Sequence, residues 1–418
     1  MLGSPIIALV DGEHHPLAVR SALDTLAAER AIAGVVFCGG EEKVRPGVLE
    51  SPEEHYGQRV VSGEDPAGAL RRLAAETGAR SVVDLADEPV VGPAERFALA
   101  ALALHLGLRY EAPGLLLTPP VEEPIAFDGP KLAVIGTGKR TGKTAVAGHW
   151  ASLLAAAGRT PVIVSMGRGG PGEPQLAAAD TALDELLEIS REGRHAASDY
   201  LEDAVLARVP AVGTRRVGGG LDGEPFASNV AEGAALAASL RPGAIIFEGS
   251  GSCIPPVRVD RTVCIVGDRA GALAYLGPYR LLRSDLALVM GADRELVADV
   301  DRACPGRVLA ATLCSEPAAP LPPDARIALF TTGAGDVSGV EPVLASRNLA
   351  RRRELAADLD RAVAERCDLF LTELKAAAID TVAERARQEG ADVAFVRNRP
   401  IGLGEDLDAA LEELAADA

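Results

Sequence analysis

Aromatic residues are scarce: Phe, Trp and Tyr make up 3% of the 418 residues. Surfaces that bind single-stranded nucleic acid stack bases on aromatic rings, so this composition argues against that class. Positive charge is also short. The 42 Lys and Arg against 60 Asp and Glu leave a formal net charge of −18, which repels a phosphate backbone on average. Any anionic ligand must therefore meet a local basic pocket. Long apolar runs are missing. Nothing reaches the roughly 18 uninterrupted apolar residues of a membrane-spanning helix; the nearest, residues 97–108, contains His105. The start, Met1-Leu-Gly-Ser-Pro5, lacks the basic opening of a secretory signal. The 6 cysteines are scattered with no Cys-x-x-Cys pair. They read as reduced, mostly buried thiols, which points to the cytoplasm and away from a cysteine metal site.

What is abundant is aliphatic. The chain is 48% hydrophobic and long enough for two or three domains. Strand and helix patterns alternate throughout, with strands expected at 6–10, 33–37, 81–85, 132–135, 161–165 and 243–248. Helices are expected at 16–30, 93–106 and 145–157. Alternation at this spacing implies parallel sheets covered by helices. Proline-rich stretches at 118–124 and 316–323 break the pattern and read as boundaries. Beyond the second, strands are expected at 326–332, 368–374 and 392–397, with helices at 346–365, 377–388 and 406–416.

The most informative run is Lys131-Leu-Ala-Val-Ile-Gly-Thr-Gly-Lys-Arg-Thr-Gly-Lys-Thr144. An apolar strand feeds a glycine-rich turn that ends in Gly142-Lys143-Thr144 at the start of a helix. That layout is a phosphate-binding loop (P-loop). Backbone N–H groups of residues Gly136, Thr137, Gly138, Lys139, Arg140, Thr141 and Gly142 cradle phosphate, Lys143 adds a point charge, and the Thr144 hydroxyl reaches Mg²⁺. Thr137 stands where the usual pattern has glycine. The spelling Gly-Thr-x-x-x-x-Gly-Lys-Thr resembles dethiobiotin synthetase and its relatives. A carboxylate should follow a second core strand to complete the metal site. Glu248, in Phe247-Glu-Gly-Ser-Gly251, fits, because a strand's carboxyl end faces the ligand crevice of an open α/β sheet. The expected architecture is α/β: an N-terminal α/β domain (1–124), a P-loop NTPase core with a parallel sheet (125–318) and a C-terminal α/β domain (319–418).

Other loops look suited to anions. Residues 166–174 surround Arg168 and Glu173 with Gly and Pro; Arg168 could grip a phosphate and Glu173 could assist the metal. Residues 213–220 pair Arg215 and Arg216 with glycines, and arginine forks suit phosphate. His195, Asp199 and Tyr200 lie in a polar run that opens a helix, where Ser198 and Asp199 could simply act as caps. His14 and His15 sit at a strand end beside Asp11 and Glu13, where a structural cap is the plainer role. Arg347, Arg351, Arg352 and Arg353 read as a solvated helix face. Lys375 follows another strand end as a further phosphate contact.

Taken together, Val10-Asp-Gly-Glu-His14, the loop at 136–144, Met166-Gly-Arg-Gly-Gly-Pro171, Phe247-Glu-Gly-Ser-Gly251 and Thr372-Glu-Leu-Lys-Ala-Ala-Ala378 resemble the cyclic 2,3-diphosphoglycerate synthetase family across nearly the whole chain. The resemblance implies an enzyme that uses ATP and Mg²⁺ to close an intramolecular phosphoanhydride in 2,3-diphosphoglycerate. It also implies a companion 2-phosphoglycerate kinase activity. On this reading Lys143, Lys139 and Arg168 are catalytic, and Thr144, Glu248 and Glu173 serve the metal. Arg168, Arg215, Arg216, His195, Asp199, Tyr200, His14 and Lys375 hold a small polyanionic substrate. A homodimer is expected, with no nucleic-acid or membrane partner. Two alternatives stand beside it. One is a dethiobiotin-synthetase-like carboxylate ligase, which does not account for the N-terminal domain. The other is a partner-controlled ATPase switch, whose usual second lysine would stand at position 138, where this chain has Gly and carries Lys139 instead.

Overall fold

The computed structural model describes residues 3–63, 65–333 and 336–418. The chain divides into two compact units. One comprises Met1–Val121, Arg269–Arg283 and Arg302–Pro305. Its sheet runs in the order Val60–Val61, Arg30–Phe37, Gly3–Val10, Ser81–Asp84, Arg109–Ala112, Leu115–Leu117. All neighbours are parallel except the last pair, a hairpin. The local chemistry fits each helix. Pro16–Glu29 and Pro66–Thr77 open with proline and are capped by the His15 and Asp65 side chains, and Pro66–Thr77 stops at Gly78 in the left-handed region. The strand order reverses beside Gly3–Val10, where such sheets often bind ligands. Here the loops close on each other: a Cβ on Gly12 would lie 1.9 Å from the Gly40 carbonyl oxygen.

The second unit comprises Glu122–Asp268, Ser284–Asp301 and Gly306–Ala418. Seven strands form a parallel run: Ala211–Val217, Pro161–Gly167, Ala244–Glu248, Lys131–Gly136, Arg261–Val266, Leu286–Met290 and Arg307–Pro317. The P-loop strand lies inside this run, and its four central residues are fully buried or nearly so. Near-continuous apolar strands such as Ala244–Glu248 are what a sheet covered on both faces requires. On one face the helix Lys143–Ala156 buries Trp150, whose Nε1 donates to the Leu411 carbonyl at 2.9 Å and ties the C-terminal helix Leu407–Ala416 to the P-loop helix.

The sheet does not stop at the proline-rich stretch around residue 316. Residues 307–311 pair with Leu286–Met290, and the strand then overhangs. Its continuation pairs antiparallel with Asp392–Gly402, from Ala311↔Gly402 to Pro317↔Val396. Leu369–Glu373, Ile327–Phe330 and Leu344–Ser346 follow in parallel. This antiparallel join has a functional consequence: the carboxyl ends of the second group of strands point back toward those of the P-loop group. Two sequence expectations shift. Residues 213–217 belong to a strand rather than a glycine turn, and the helix expected from 346 begins at Arg352, because Leu344–Ser346 pairs as an edge strand. Among the described residues no helix is long and apolar enough to cross a membrane, and no cysteine forms a disulfide.

Candidate active site

The loop between the strand Lys131–Gly136 and the helix Lys143–Ala156 owes its shape to particular residues. A Cβ on Gly136 would lie 2.9 Å from Thr141 Oγ1 and 3.1 Å from Lys143 Cδ, so only glycine leaves the lysine its path. Gly142, at φ 98°, turns the chain into the helix in a region that L side chains avoid. Arg140 also has a positive φ, 57°. Thr137, the departure from the usual spelling, has a structural task. Its N–H donates to the Ile265 carbonyl at 3.0 Å, and its hydroxyl accepts from Gly267 N–H at 3.4 Å. The loop is thereby pinned to the neighbouring strand.

Lys143 is buried, and its Nζ donates to the Gly138 carbonyl at 2.8 Å and lies 3.4 Å from Thr141 Oγ1. Burial lowers its pKa, and the nearby Arg216 cation pushes the same way against the pull of Glu248 and Asp199. Thr144 Oγ1 donates to Glu248 Oε1 at 2.5 Å, and Ser165 Oγ donates to Glu248 Oε2 at 2.9 Å. Residues 104 apart in sequence thus meet at the loop's end. Glu248 is pushed up to about 8, first by burial and then by the Asp199 charge, while Thr144, Ser165 and Lys143 pull it down.

The helix Asp199–Ala207 adds carboxylates at i, i+3 and i+4, which share one face. Asp199, Glu202 and Asp203 are all raised, chiefly by burial; Glu202 reaches about 7. Lys375 Nζ sits 3.4 Å from Glu202 Oε1, brought there by the returning strand Leu369–Glu373, and the Glu202 charge raises the lysine's pKa. Lys375 and Asp199 therefore join the P-loop end. Glu202, Asp203 and Ser165 were not among the sequence candidates. The Asp199-x-x-Glu202-Asp203 spacing was the available signal, but an acidic helix face ordinarily reads as solvated.

The arginines divide. Arg168 and Arg216 converge on Gly251, where a Cβ would lie 2.6 Å from Arg168 Nη2 and 3.4 Å from Arg216 Nη2. Arg216 is buried; its terminal nitrogens donate to the Gly218 and Ser250 carbonyls, and its Nε has no partner among the described residues. Among the described residues neither guanidinium pairs with a carboxylate. Two uncompensated cations around one glycine are an arrangement that could hold an anion. Arg215 does not join them. Successive strand residues face opposite ways, so Arg215 is exposed while Arg216 is buried, and the Arg215 guanidinium lies against Gly172.

Other sequence candidates fall elsewhere. The Tyr200 ring fills the space beside Gly213, where a Cβ would come within 2.5 Å of it, and its hydroxyl donates to Gln175 at 3.2 Å; it is a core residue. His195 is exposed, although its charge acts on Asp199. Lys139 is exposed on the loop, and Glu173 is exposed in the stretch after Pro161–Gly167. His14 lies in the other unit, where its Nδ1 is 2.9 Å from Asp11 Oδ1; Asp11 also accepts from the N–H groups of Glu13 and His14. His15 caps its helix.

A parallel sheet, a P-loop that opens a helix, and a carboxylate at the next strand's end bonded to the loop threonine define a P-loop NTPase fold. The family models for cyclic 2,3-diphosphoglycerate synthetase match the chain in three parts: the N-terminal domain over residues 5–118, the P-loop domain over 131–303 and the C-terminal domain over 329–399. Curated cyclic 2,3-diphosphoglycerate synthetases align along nearly the full length. The Rubrobacter xylanophilus protein is 43% identical, covering 98% of this chain and 97% of its own. The Thermococcus gammatolerans protein is 39% identical over 95% and 94%. The Methanothermobacter thermautotrophicus protein is 35% identical over 97% and 95%. The chain belongs to the cyclic 2,3-diphosphoglycerate synthetase family.

Proposed function

We propose that this chain uses ATP to convert 2,3-diphosphoglycerate to its cyclic phosphoanhydride, with Mg²⁺, and that it also phosphorylates 2-phosphoglycerate. The carrying observation is the pair of uncompensated guanidiniums, Arg168 and Arg216, beside a P-loop whose Thr144 donates to Glu248 and whose buried Lys143 feels the Glu248 charge. A polyanionic acceptor must be held against a polyanionic nucleotide, and here separate cations serve each. The net change is ATP plus 2,3-diphosphoglycerate giving ADP, orthophosphate and the cyclic product. The γ-phosphoryl moves to an oxygen of one substrate phosphate, and ADP leaves. An oxygen of the other phosphate then attacks the activated phosphorus, expels orthophosphate and closes the ring. Lys143 neutralises charge on the transferred group, and Arg168 and Arg216 hold the two acceptor phosphates in reach of each other.

The donor set suits Mg²⁺. Thr144 and Glu248 offer hard oxygens, and burial leaves the Glu248 carboxylate short of compensating charge. Among the described residues no group of three His, Cys, Asp or Glu is arranged for a metal. The ion would therefore take its remaining oxygens from nucleotide phosphates and water, as Mg²⁺ commonly does; its role would be to neutralise phosphate charge. Glu173 is exposed and stays an outer candidate. The test is phosphorus NMR of products from ATP with 2,3-diphosphoglycerate, 2-phosphoglycerate and simple carboxylates in turn. The reading predicts a cyclic phosphoanhydride from the first and 2,3-diphosphoglycerate from the second. Turnover only with a carboxylate would replace it with the ligase alternative.

A further inference from the structure

A cavity of about 210 Å³ opens beside the first turns of the P-loop helix. Thr144, Ala145 and Gly148 of that helix form one side, Asp203 and Leu206 of the helix Asp199–Ala207 another. Arg397, Asn398 and Arg399 form a third side, carried there by the overhanging antiparallel pair, and Glu202, His149 and Ser152 are also among the lining residues. None of Arg397, Asn398 and Arg399 was a sequence candidate.

The chemistry of the lining is specific. Asp203 is 2% exposed, and its Oδ2 has no hydrogen-bond partner among the described residues. A buried acceptor left unmade is costly, so this oxygen calls for a donor. Asn398 Oδ1 accepts from Ser315 Oγ at 2.7 Å, which leaves the amide nitrogen to donate. Arg397 and Arg399 share the single carboxylate of Glu316, and Arg399 reaches it through Nε alone at 3.4 Å. The flat face and terminal nitrogens of Arg399 are uncommitted among the described residues. Gly148 adds no side chain, and Leu206 adds an apolar wall.

A polyanion suits this cavity poorly, because Glu202 and Asp203 both line it. Its needs are hydroxyl donors for Asp203, a planar group to lie on a guanidinium and an apolar wall, and an acceptor for an amide. Those belong to a nucleoside: carboxylates recurrently bind ribose hydroxyls, and arginine stacks on flat rings. The cavity is continuous with Thr144, where the phosphate-binding loop ends. We infer that it seats the nucleoside of the bound nucleotide, with ribose hydroxyls on Asp203 and the base against Arg399 and Asn398. The inference rests on the ATP reading above and names the site that would distinguish a nucleotide from bare polyphosphate.

Calorimetric titration of the full-length protein tests it, with ADP, 2′-deoxy-ADP, 3′-deoxy-ADP, pyrophosphate and 2,3-diphosphoglycerate as separate probes in Mg²⁺. Two variants are used: Arg399→Ala at the rim, and Asp203→Leu, which keeps the shape but removes the acceptor. Thermal melting confirms that each is folded. Each should weaken ADP about tenfold, the effect of one lost hydrogen bond or stacking contact, and leave pyrophosphate and diphosphoglycerate unchanged. Wild type should bind one or both deoxy nucleotides more weakly than ADP, and Asp203→Leu should erase that difference. Unchanged ADP affinity in both folded variants overturns the inference. So does selective loss of 2,3-diphosphoglycerate, which would make the cavity the acceptor site. A wild-type protein that binds neither ADP nor pyrophosphate would sink the ATP reading itself, a result separable from the others.

Discussion

Replacing Arg216 by Ala tests the acceptor site most directly. The side chain donates to the carbonyls of Gly218 and Ser250 and shares the space around Gly251 with Arg168. Those carbonyl bonds fix the guanidinium but leave its charge uncompensated. Losing one charge-assisted hydrogen bond to a substrate phosphate costs about 1.5–3 kcal/mol, or roughly tenfold to over a hundredfold in KM. The KM for 2,3-diphosphoglycerate should rise by that factor while the KM for ATP changes little. Arg168→Ala should act in the same direction. Because both cations face one anion, the double variant should depart from additivity by about 0.5 kcal/mol or more. Arg215→Ala, on the opposite face, is the control and should leave both KM values near wild type. Steady-state kinetics of wild type and the four variants, with each substrate varied in turn, gives all the KM values needed. Equal losses for ATP and acceptor in Arg216→Ala would refute the separate acceptor site. Additive single effects would show that Arg168 and Arg216 do not meet on one group.

Lys143→Ala should abolish ATP turnover with the melting temperature little changed, since removing its charge from the transferring phosphoryl costs several kcal/mol in the barrier; near-normal phosphate release would remove the P-loop assignment. Glu248→Gln should raise the Mg²⁺ concentration needed for half-maximal rate, because an amide is a poorer ligand for a hard cation; overlaid titrations would exclude Glu248 from the metal shell. Ligand-free stability should fall as pH rises from about 4.5 to about 8: Glu248 keeps its proton in the folded state to about 8 and Glu202 to about 7, whereas the unfolded groups release theirs near 4.5. Melting temperature against pH should show this decline, and Glu248→Gln should flatten it; an unchanged slope would mean that the buried carboxylate is already compensated. Gly136→Ala should cripple nucleotide binding, because the added methyl meets Thr141 and Lys143; equilibrium dialysis with ATP would check it.

Much of the site was legible because it is local. Gly136, Gly142, Lys143 and Thr144 lie in one strand–loop–helix unit, where backbone sterics and helix geometry act over a few residues. Glu248 was also legible, since a carboxylate at the end of an apolar strand has a known place in a parallel sheet. Arg215 and Arg216 were not resolvable in the same way. Read as a glycine turn, both could face the crevice; paired with Gln175–Ala177 and Pro161–Gly167 as a strand, only one can.

The sequence by itself determined the alternation of strands and helices and the phosphate-binding turn. These follow from side-chain period and glycine's conformational freedom, both properties of neighbours along the chain. Tertiary structure alone decided that Arg307–Pro317 would overhang and pair antiparallel with Asp392–Gly402. That pairing turns Lys375 toward Glu202, 173 residues away in sequence, and brings Arg397 and Arg399 to the P-loop helix. The physical reason is that register between distant strands depends on which backbone groups remain unpaired once the local elements have formed, and no short-range pattern encodes it.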